Sequence, residues 1–462
     1  MTKFLSLFAA FATLGGVVAS AQDESATQTI RIYDGAQFYD GYLMEKNPDK
    51  DLDDGILRHS CSLYSRPLTD EQLNAIGDSL KLNVFVQACC DNYDRIGNIN
   101  LALVPKGAES YTTSEVQRLE IGRFITPFMD MNKEPNTVPY NYDINYLSPI
   151  LRDSALRADY DLWLEFELFG VPYAANQQIA GCDGRSDVFK GTLEFETSTP
   201  PAGKTKGNLL IPIVMKTPEH LGFNLNNYKE EATDTIGKTV KSYYFDVPQD
   251  VTGGQIVLIT SNHGANSGGE EYNRRWHYVY VDNELVLSYI PGRESCEPFR
   301  QYNTQANGIY GWKAMSDAEW QSFSNWCPGD VIDNRIIYMG DVKKGEHKIT
   351  ISVPDAKFRN QQGDIPVSIY FHAATNGIDE AGIQVSLATP SSVKVRVADG
   401  ELMVWSESSI KAVEMYSSAG EKICRTISNA PIALGGIAHG IYLVNVYLEN
   451  GIVETHKVVI GK

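Results

Sequence analysis

The sequence has little of what many functional classes require. Apart from its first residues, no stretch approaches the ~18 consecutive apolar residues of a membrane-spanning helix, so no transmembrane segment is expected. Positive charge is in deficit: 40 Lys and Arg stand against 58 Asp and Glu, a net charge of −18. A nucleic-acid partner is excluded on that ground, because phosphates call for a basic face. Long amphipathic helical windows are scarce, and 69–80 is the best of them, with Thr69 as N-cap. The chain carries no His-Glu-x-x-His, no Gly-x-Ser-x-Gly and no phosphate-binding loop. Its eight histidines form no close pair of the kind a copper centre needs, so no metal and no cofactor is expected.

What is present is β-structure. Period-two alternation of apolar and polar residues recurs at 82–86, 100–104, 162–168, 255–260, 276–281, 347–353 and 366–371, which predicts an all-β protein. At 462 residues it exceeds one ordinary domain. The Pro- and Gly-containing stretch at 197–207 marks a boundary, and a second lies at 377–382. The expected organisation is a first domain over 24–196, a second over 208–376 and a third over 383–462.

Residues 1–21 read as an export signal, with Lys3 ahead of an apolar run and Ala19-Ser20-Ala21 as the cleavage site. Seven cysteines in an exported chain make disulfides plausible, and the odd count leaves at least one unpaired. Adjacent Cys89 and Cys90 cannot readily bridge each other, so each is expected to reach elsewhere, with Cys61 and Cys182 as candidates.

Three segments set carboxylates beside aromatic rings: Cys90-Asp91-Asn92-Tyr93-Asp94-Arg95, Leu164-Glu165-Phe166-Glu167-Leu168 and Gly268-Gly269-Glu270-Glu271-Tyr272. Alternation puts Leu162, Leu164, Phe166 and Leu168 on the core face of a strand and turns Trp163, Glu165 and Glu167 away from it, toward solvent or a cleft. Asp94 falls at a loop-to-strand edge, where an aspartate most often stabilises a turn. Neighbours in a strand face opposite ways, so one of Glu270 and Glu271 is expected to be solvated, and the family resemblance given below, which places Glu271 at a functional position, makes Glu270 that one.

With Glu120-Ile121-Gly122-Arg123-Phe124-Ile125-Thr126-Pro127-Phe128 and Asn325-Trp326-Cys327-Pro328-Gly329, these segments in this order resemble the peptide:N-glycosidase F family over about 29–375. The resemblance implies two antiparallel jelly-roll β-sandwich domains side by side, here followed by a small C-terminal β-sandwich. It implies hydrolysis of the glycosylasparagine amide of N-glycoproteins or glycopeptides, converting Asn to Asp. Site residues follow from the matched positions: Asp94, Glu167 and Glu271 as catalytic groups, and Arg95, with Tyr93, Tyr272 and Trp326, on the substrate. Cys296 and Cys327 match a family disulfide, and Arg123 is expected to be structural. Two departures stand out. Gly269 and Asn273 replace a second disulfide, and Phe323 stands where the family has an arginine, so the alternative is a catalytically inactive glycan-binding relative. The segment after 383 is similar to type IX secretion sorting domains, which implies that machinery as a partner and a secreted, periplasmic or cell-surface location in a Gram-negative bacterium. A monomer is expected.

Overall fold

A computed structural model of the chain describes residues 27–43, 52–200, 208–215, 224–226, 234–264, 269–305, 316–321, 324–375, 382–383, 393–398, 400–406, 410–417, 422–426, 431–448 and 453–461. The export segment, Phe323 and the greater part of both inter-domain stretches lie outside the described residues. Every alternating segment named above forms a strand, because one side of each buries branched and aromatic residues while the backbone pairs with its neighbours.

The first sandwich packs a four-stranded sheet, in the order Thr27–Tyr39, Asp187–Ser198, Leu80–Ala88 and Thr137–Asp143, against a six-stranded one. The six run Val331–Ile332, Gln117–Ile125, Ile96–Pro105, Tyr160–Leu168, Leu63–Pro67 and Leu57–Ser60. Their facing sides build a core that includes Phe38, Tyr64, Val84, Leu101, Phe124, Leu164, Phe166 and Phe195. The helix predicted at 69–80 is only Asp70–Asn74. Thr69 caps it in a reciprocal capping box with Gln72, but its chain turns at Ala75 to feed the strand at Leu80, so tertiary pairing cuts the helical pattern short.

The second sandwich packs the sheet Arg335–Val342, Val251–Thr260, Val367–Thr375, Asn208–Val214 and Gly382–Ile383 against the sheet Val240–Val247, Gly345–Ser352, His277–Val281 and Glu284–Tyr289. Its core centres on Tyr243, Phe245, Ile256, Val279, Ile349 and Phe371. All strand pairs in both sandwiches are antiparallel except the short parallel contact of Gly382–Ile383 with Asn208–Val214. A third pair of small sheets, from Lys394–Ala398 to Val453–Ile460, closes over Leu402, Val413, Met415, Val444 and Val446. Among the described residues no sheet closes into a barrel.

The first two sandwiches share more than a surface. Val331–Ile332, from the second half of the chain, adds a strand to the edge of the first sandwich beside Gln117–Ile125, with Val331 opposite Phe124 and Ile332 opposite Arg123. Arg123 is fully buried: its Nε and Nη2 donate to Glu120 at 2.8 and 2.7 Å, and its Nη1 crosses to Ser261 Oγ at 2.8 Å and the Pro366 carbonyl at 3.0 Å. Ser368, also from the second sandwich, donates to Glu120 Oε2, the oxygen that also accepts from Arg123 Nη2. A buried charge pair is tolerated only when its remaining hydrogen-bonding capacity is met, and here both sandwiches meet it.

Candidate active site

Antiparallel register explains where the polar residues of the first sandwich go. Asn98 pairs across to Glu167 on one side and Arg123 on the other, and Asn100 pairs with Glu165 and Glu120. Directly opposed residues share a face, so these side chains form two polar rows on the face turned away from the first core. That face is not solvent. Glu165 is buried and receives Arg118 Nε and Nη2 at 2.9 and 2.6 Å, Tyr111 OH at 2.8 Å and Asn100 Nδ2 at 2.9 Å. Trp163 is buried beside it with Ala102 and Val104. Of the two places expected for Glu165, solvent or a cleft, solvent is therefore excluded, because alternation shows which side a residue faces and not what lands on that side. Glu167 is half-buried opposite Asn98.

The loop ahead of Ile96–Pro105 arranges the motif residues in two groups. Asp91 is buried and takes Arg95 Nε at 2.7 Å, the Val171 N–H at 2.7 Å and the Tyr93 N–H at 2.8 Å. This fixes the Arg95 guanidinium over the Tyr93 ring, 4.5 Å from its centroid, with Phe169 beyond. The terminal nitrogens of Arg95 make one long contact, Nη2 to the Val171 carbonyl at 3.4 Å, and so keep donor capacity for a ligand. Thr126 holds the same loop from the neighbouring strand, accepting from the Arg95 N–H at 2.7 Å and donating to the Tyr93 carbonyl at 2.9 Å.

Asp94 follows in the same loop, next to Arg95. Its Oδ1 is buried with no hydrogen-bond partner among the described residues. Burial first, and then the charge of Glu271, raise its carboxyl well above the usual carboxylate range. Asp94 and Glu271, from different sandwiches, thus stand near enough for the charge of Glu271 to act on Asp94. Glu271 is itself buried, and burial pushes its carboxyl up to about 7, with Asp364 adding to the shift. The Gly264 N–H donates to Glu271 Oε2 at 2.8 Å and opposes that shift. Gly264 has φ +149°, and a Cβ there would stand 2.7 Å from the Gln362 carbonyl, so this loop needs glycine to aim its N–H at the carboxylate.

The loop at 324–326 fastens the other side of Glu271. Its carbonyl accepts the Asn325 N–H at 3.1 Å and Asn325 Nδ2 at 2.7 Å, and also the Ser324 hydroxyl. The disulfide Cys296–Cys327 closes the base of that loop. A second disulfide, Cys90–Cys182, anchors the Asp94 loop, while Cys61, Cys89 and Cys424 take part in no disulfide among the described residues.

Two further expectations are overturned. Glu270 is not solvated: it is buried and paired to Arg275 at 3.0 Å, because residues 269–273 form a turn in which neighbours need not face opposite ways. Trp326 offers no open face to a sugar, being buried with Ile125, Ile259 and Ile332 in a cluster between the sandwiches. Tyr272 is exposed and Tyr93 half-buried. Sequence reasoning missed the parts played by Asp91, Gly264 and Asn325. The first and third lay within motifs already noted, and a glycine beside a histidine in a loop ahead of a glutamate was the only signal for Gly264.

A cleft of about 610 Å³ opens elsewhere, lined by Leu57, Pro67, Lys106, Asp161 and Trp163 among others. It lies at the far end of Ile96–Pro105, roughly 30 Å along the strand from Asp94, and the paired carboxylates rather than this cleft mark the candidate site.

Comparison with known proteins agrees with this architecture. Residues 67–183 match the family model for the N-terminal domain of peptide-N-glycosidase F, and residues 227–372 match that for its C-terminal domain. No protein of curated function matches in sequence. Among solved structures, PNGF-II is similar with a TM-score of 0.54 and 17% identity, covering 76% of this chain and 66% of that one, just under two thirds of its length. A peptide-N(4)-(N-acetyl-beta-D-glucosaminyl) asparagine amidase superposes with a TM-score of 0.50 and 17% identity, covering 77% of this chain and 98% of that one.

Proposed function

The chain belongs to the peptide-N-glycosidase F family, and on that premise we propose that it hydrolyses the amide joining an N-linked glycan to asparagine. The observation that carries this reading is the Asp94 and Glu271 pair: a half-buried and a buried carboxylate from different sandwiches, both of raised proton affinity, beside an arginine whose terminal nitrogens make one long contact among the described residues. Two carboxyls whose proton affinities are both raised, by burial first, are suited to acid–base work at one place.

In this reading Asp94, in its ionised form, takes a proton from water as the water oxygen bonds to the asparagine Cγ. The Cγ–N bond then breaks, and the glycosylamine nitrogen leaves with a proton from Glu271. The products are a peptide aspartate and the released glycosylamine. Arg95 donates to the carbonyl oxygen, where negative charge develops. Glu167 holds the core sugar. Asp91 does not touch substrate; it positions Arg95. No metal enters any step.

Supporting the outline are the match of both family domains and the two disulfides, which suit an exported protein. The units we assign are 24–196 and 208–376 as the catalytic pair and 383–462 as a sorting domain for type IX secretion, acting on N-glycoproteins at or outside the surface of a Gram-negative cell.

Mass spectrometry of an N-glycopeptide incubated with the protein tests the reaction. Release of intact glycan with conversion of Asn to Asp, lost in Asp94→Asn, supports it. Binding without any mass change, across several glycan types, overturns it. One observation favours this second reading, a glycan-binding relative: Phe323 occupies the position of a family arginine.

A further inference from the structure

The strand His277–Val281 leaves the Glu271 turn with two faces of different fate. His277, Val279 and Val281 point into the second sandwich, where Val279 and Val281 join its core and His277 packs on Tyr289. Trp276, Tyr278 and Tyr280 line the opposite side by period-two alternation. At the far end of this aromatic row the chain covers itself: Tyr280 meets Trp405 of the third sandwich, 5.5 Å between centroids, in a buried cluster with Val240 and Met403. Tyr278 is half-buried with one side packed on that cluster, and toward the near end the row opens. Trp276 is 47% exposed, and its ring stacks on Tyr278 with centroids 6.3 Å apart and planes 26° from parallel.

We propose that Trp276 and Tyr278 form a stacking platform for outer sugar residues of the N-glycan, a subsite beyond the core sugar. Three observations favour a saccharide as occupant. Two nearly parallel rings make a flat apolar patch of the kind that the C–H face of a pyranose covers, and it is far smaller than the roughly 800 Å² per partner of a stable protein interface. It lies near the candidate site, since Trp276 follows Glu271 by five residues, a reach of at most about 17 Å along the chain, with the exposed Tyr272 between them. Arg274 and Arg275 beside it are already engaged, with the Pro291 carbonyl and Glu270, which leaves stacking rather than charge as the means of recognition. A neutral ligand also suits a chain of net charge −18.

The inference rests on the amidase reading only for its setting, so its test has two arms. In the first, kcat/KM is compared for one peptide carrying either a full high-mannose glycan or two N-acetylglucosamine residues alone. The preference for the longer glycan is expected to fall about tenfold in Trp276→Ala, through KM, and to be largely kept in Trp276→Phe. An unchanged ratio overturns the proposal. In the second arm, binding of free high-mannose oligosaccharide to Asp94→Asn is followed by tryptophan fluorescence and calorimetry. Binding that is weakened about tenfold by adding Trp276→Ala supports the platform even if no glycopeptide is cleaved. Binding that is absent, or unaffected by that substitution, overturns it while leaving the amidase reading to its own assay.

Discussion

The Glu271 carboxylate stands within electrostatic reach of Asp94 across the seam between the sandwiches, and its charge adds to burial in raising the proton affinity of Asp94. Burial is the larger cause, and it persists when Glu271 loses its charge. Glu271→Gln is therefore expected to lower the Asp94 titration and still leave it above the ordinary carboxylate range. Infrared difference spectra of the carboxyl band, compared between the two chains, measure this without relying on activity. An Asp94 midpoint that stays put would mean that the two groups do not sense each other.

The same residue sets a pH dependence of stability. Burial brings Glu271 to about 7 from 4.5, so between those values the folded chain keeps a proton that the unfolded chain has released. A carboxyl shifted upward costs stability once ionised, and the cost grows as pH rises and is complete above about 7. At about 1.4 kcal/mol per pH unit the full penalty is roughly 3 kcal/mol. Glu271→Gln is expected to be more stable than the natural chain by about 2–3 kcal/mol at pH 8.5 and by less than about 1 kcal/mol at pH 5, as read from denaturant unfolding at the two pH values.

Much of the fold was legible because strand alternation is local: Leu162, Leu164, Phe166 and Leu168 announce a core face without help from elsewhere in the chain. The fate of the opposite face was not, since it depends on residues far away in sequence. Glu165 is buried because Arg118 and Tyr111 reach it from other segments, and Trp326 because Ile125, Ile259 and Ile332 close around it. Glu270 escaped the strand rule because it sits in a turn. Asp94 and Glu271 became legible as candidates only through a motif resemblance, and their proximity required both sandwiches to be in place. The partner of Cys90 could not be chosen from spacing, because loop closure over a separation of 92 residues is set by the fold.

Arg123 joins the two sandwiches, so its loss is expected to loosen the site as well as the fold. Arg123→Met leaves Glu120 buried without its partner, a defect that costs about 3–5 kcal/mol. Adding Glu120→Gln removes the stranded charge and is expected to recover a large part of that loss. The contact to Ser261 and the Pro366 carbonyl is still missing in the double variant. Unfolding curves showing recovery, together with glycopeptide turnover that stays low, would separate the role of Arg123 in stability from its role in holding Asp94 and Glu271 in register. Full recovery of turnover would remove that second role.

The loop closed by Cys296–Cys327 gives the last expectation. Its separation of 31 residues corresponds to about 3–4 kcal/mol of unfolded-state entropy, against about 4–5 for the 92 of Cys90–Cys182. Replacing both Cys296 and Cys327 by Ser is thus the milder change for stability. It is also the change nearer to the chemistry, because Ser324 and Asn325 grip the Glu271 carbonyl from within this loop. Asn325→Ala removes the grip while leaving the disulfide. If backbone clamping positions Glu271, both variants lower kcat for glycopeptide with little change in KM, and both shift the basic limb of the pH profile as the Glu271 carboxyl gains access to water and its proton affinity falls. A loss of stability alone, with kcat and the pH profile intact, would reduce the loop to a structural staple.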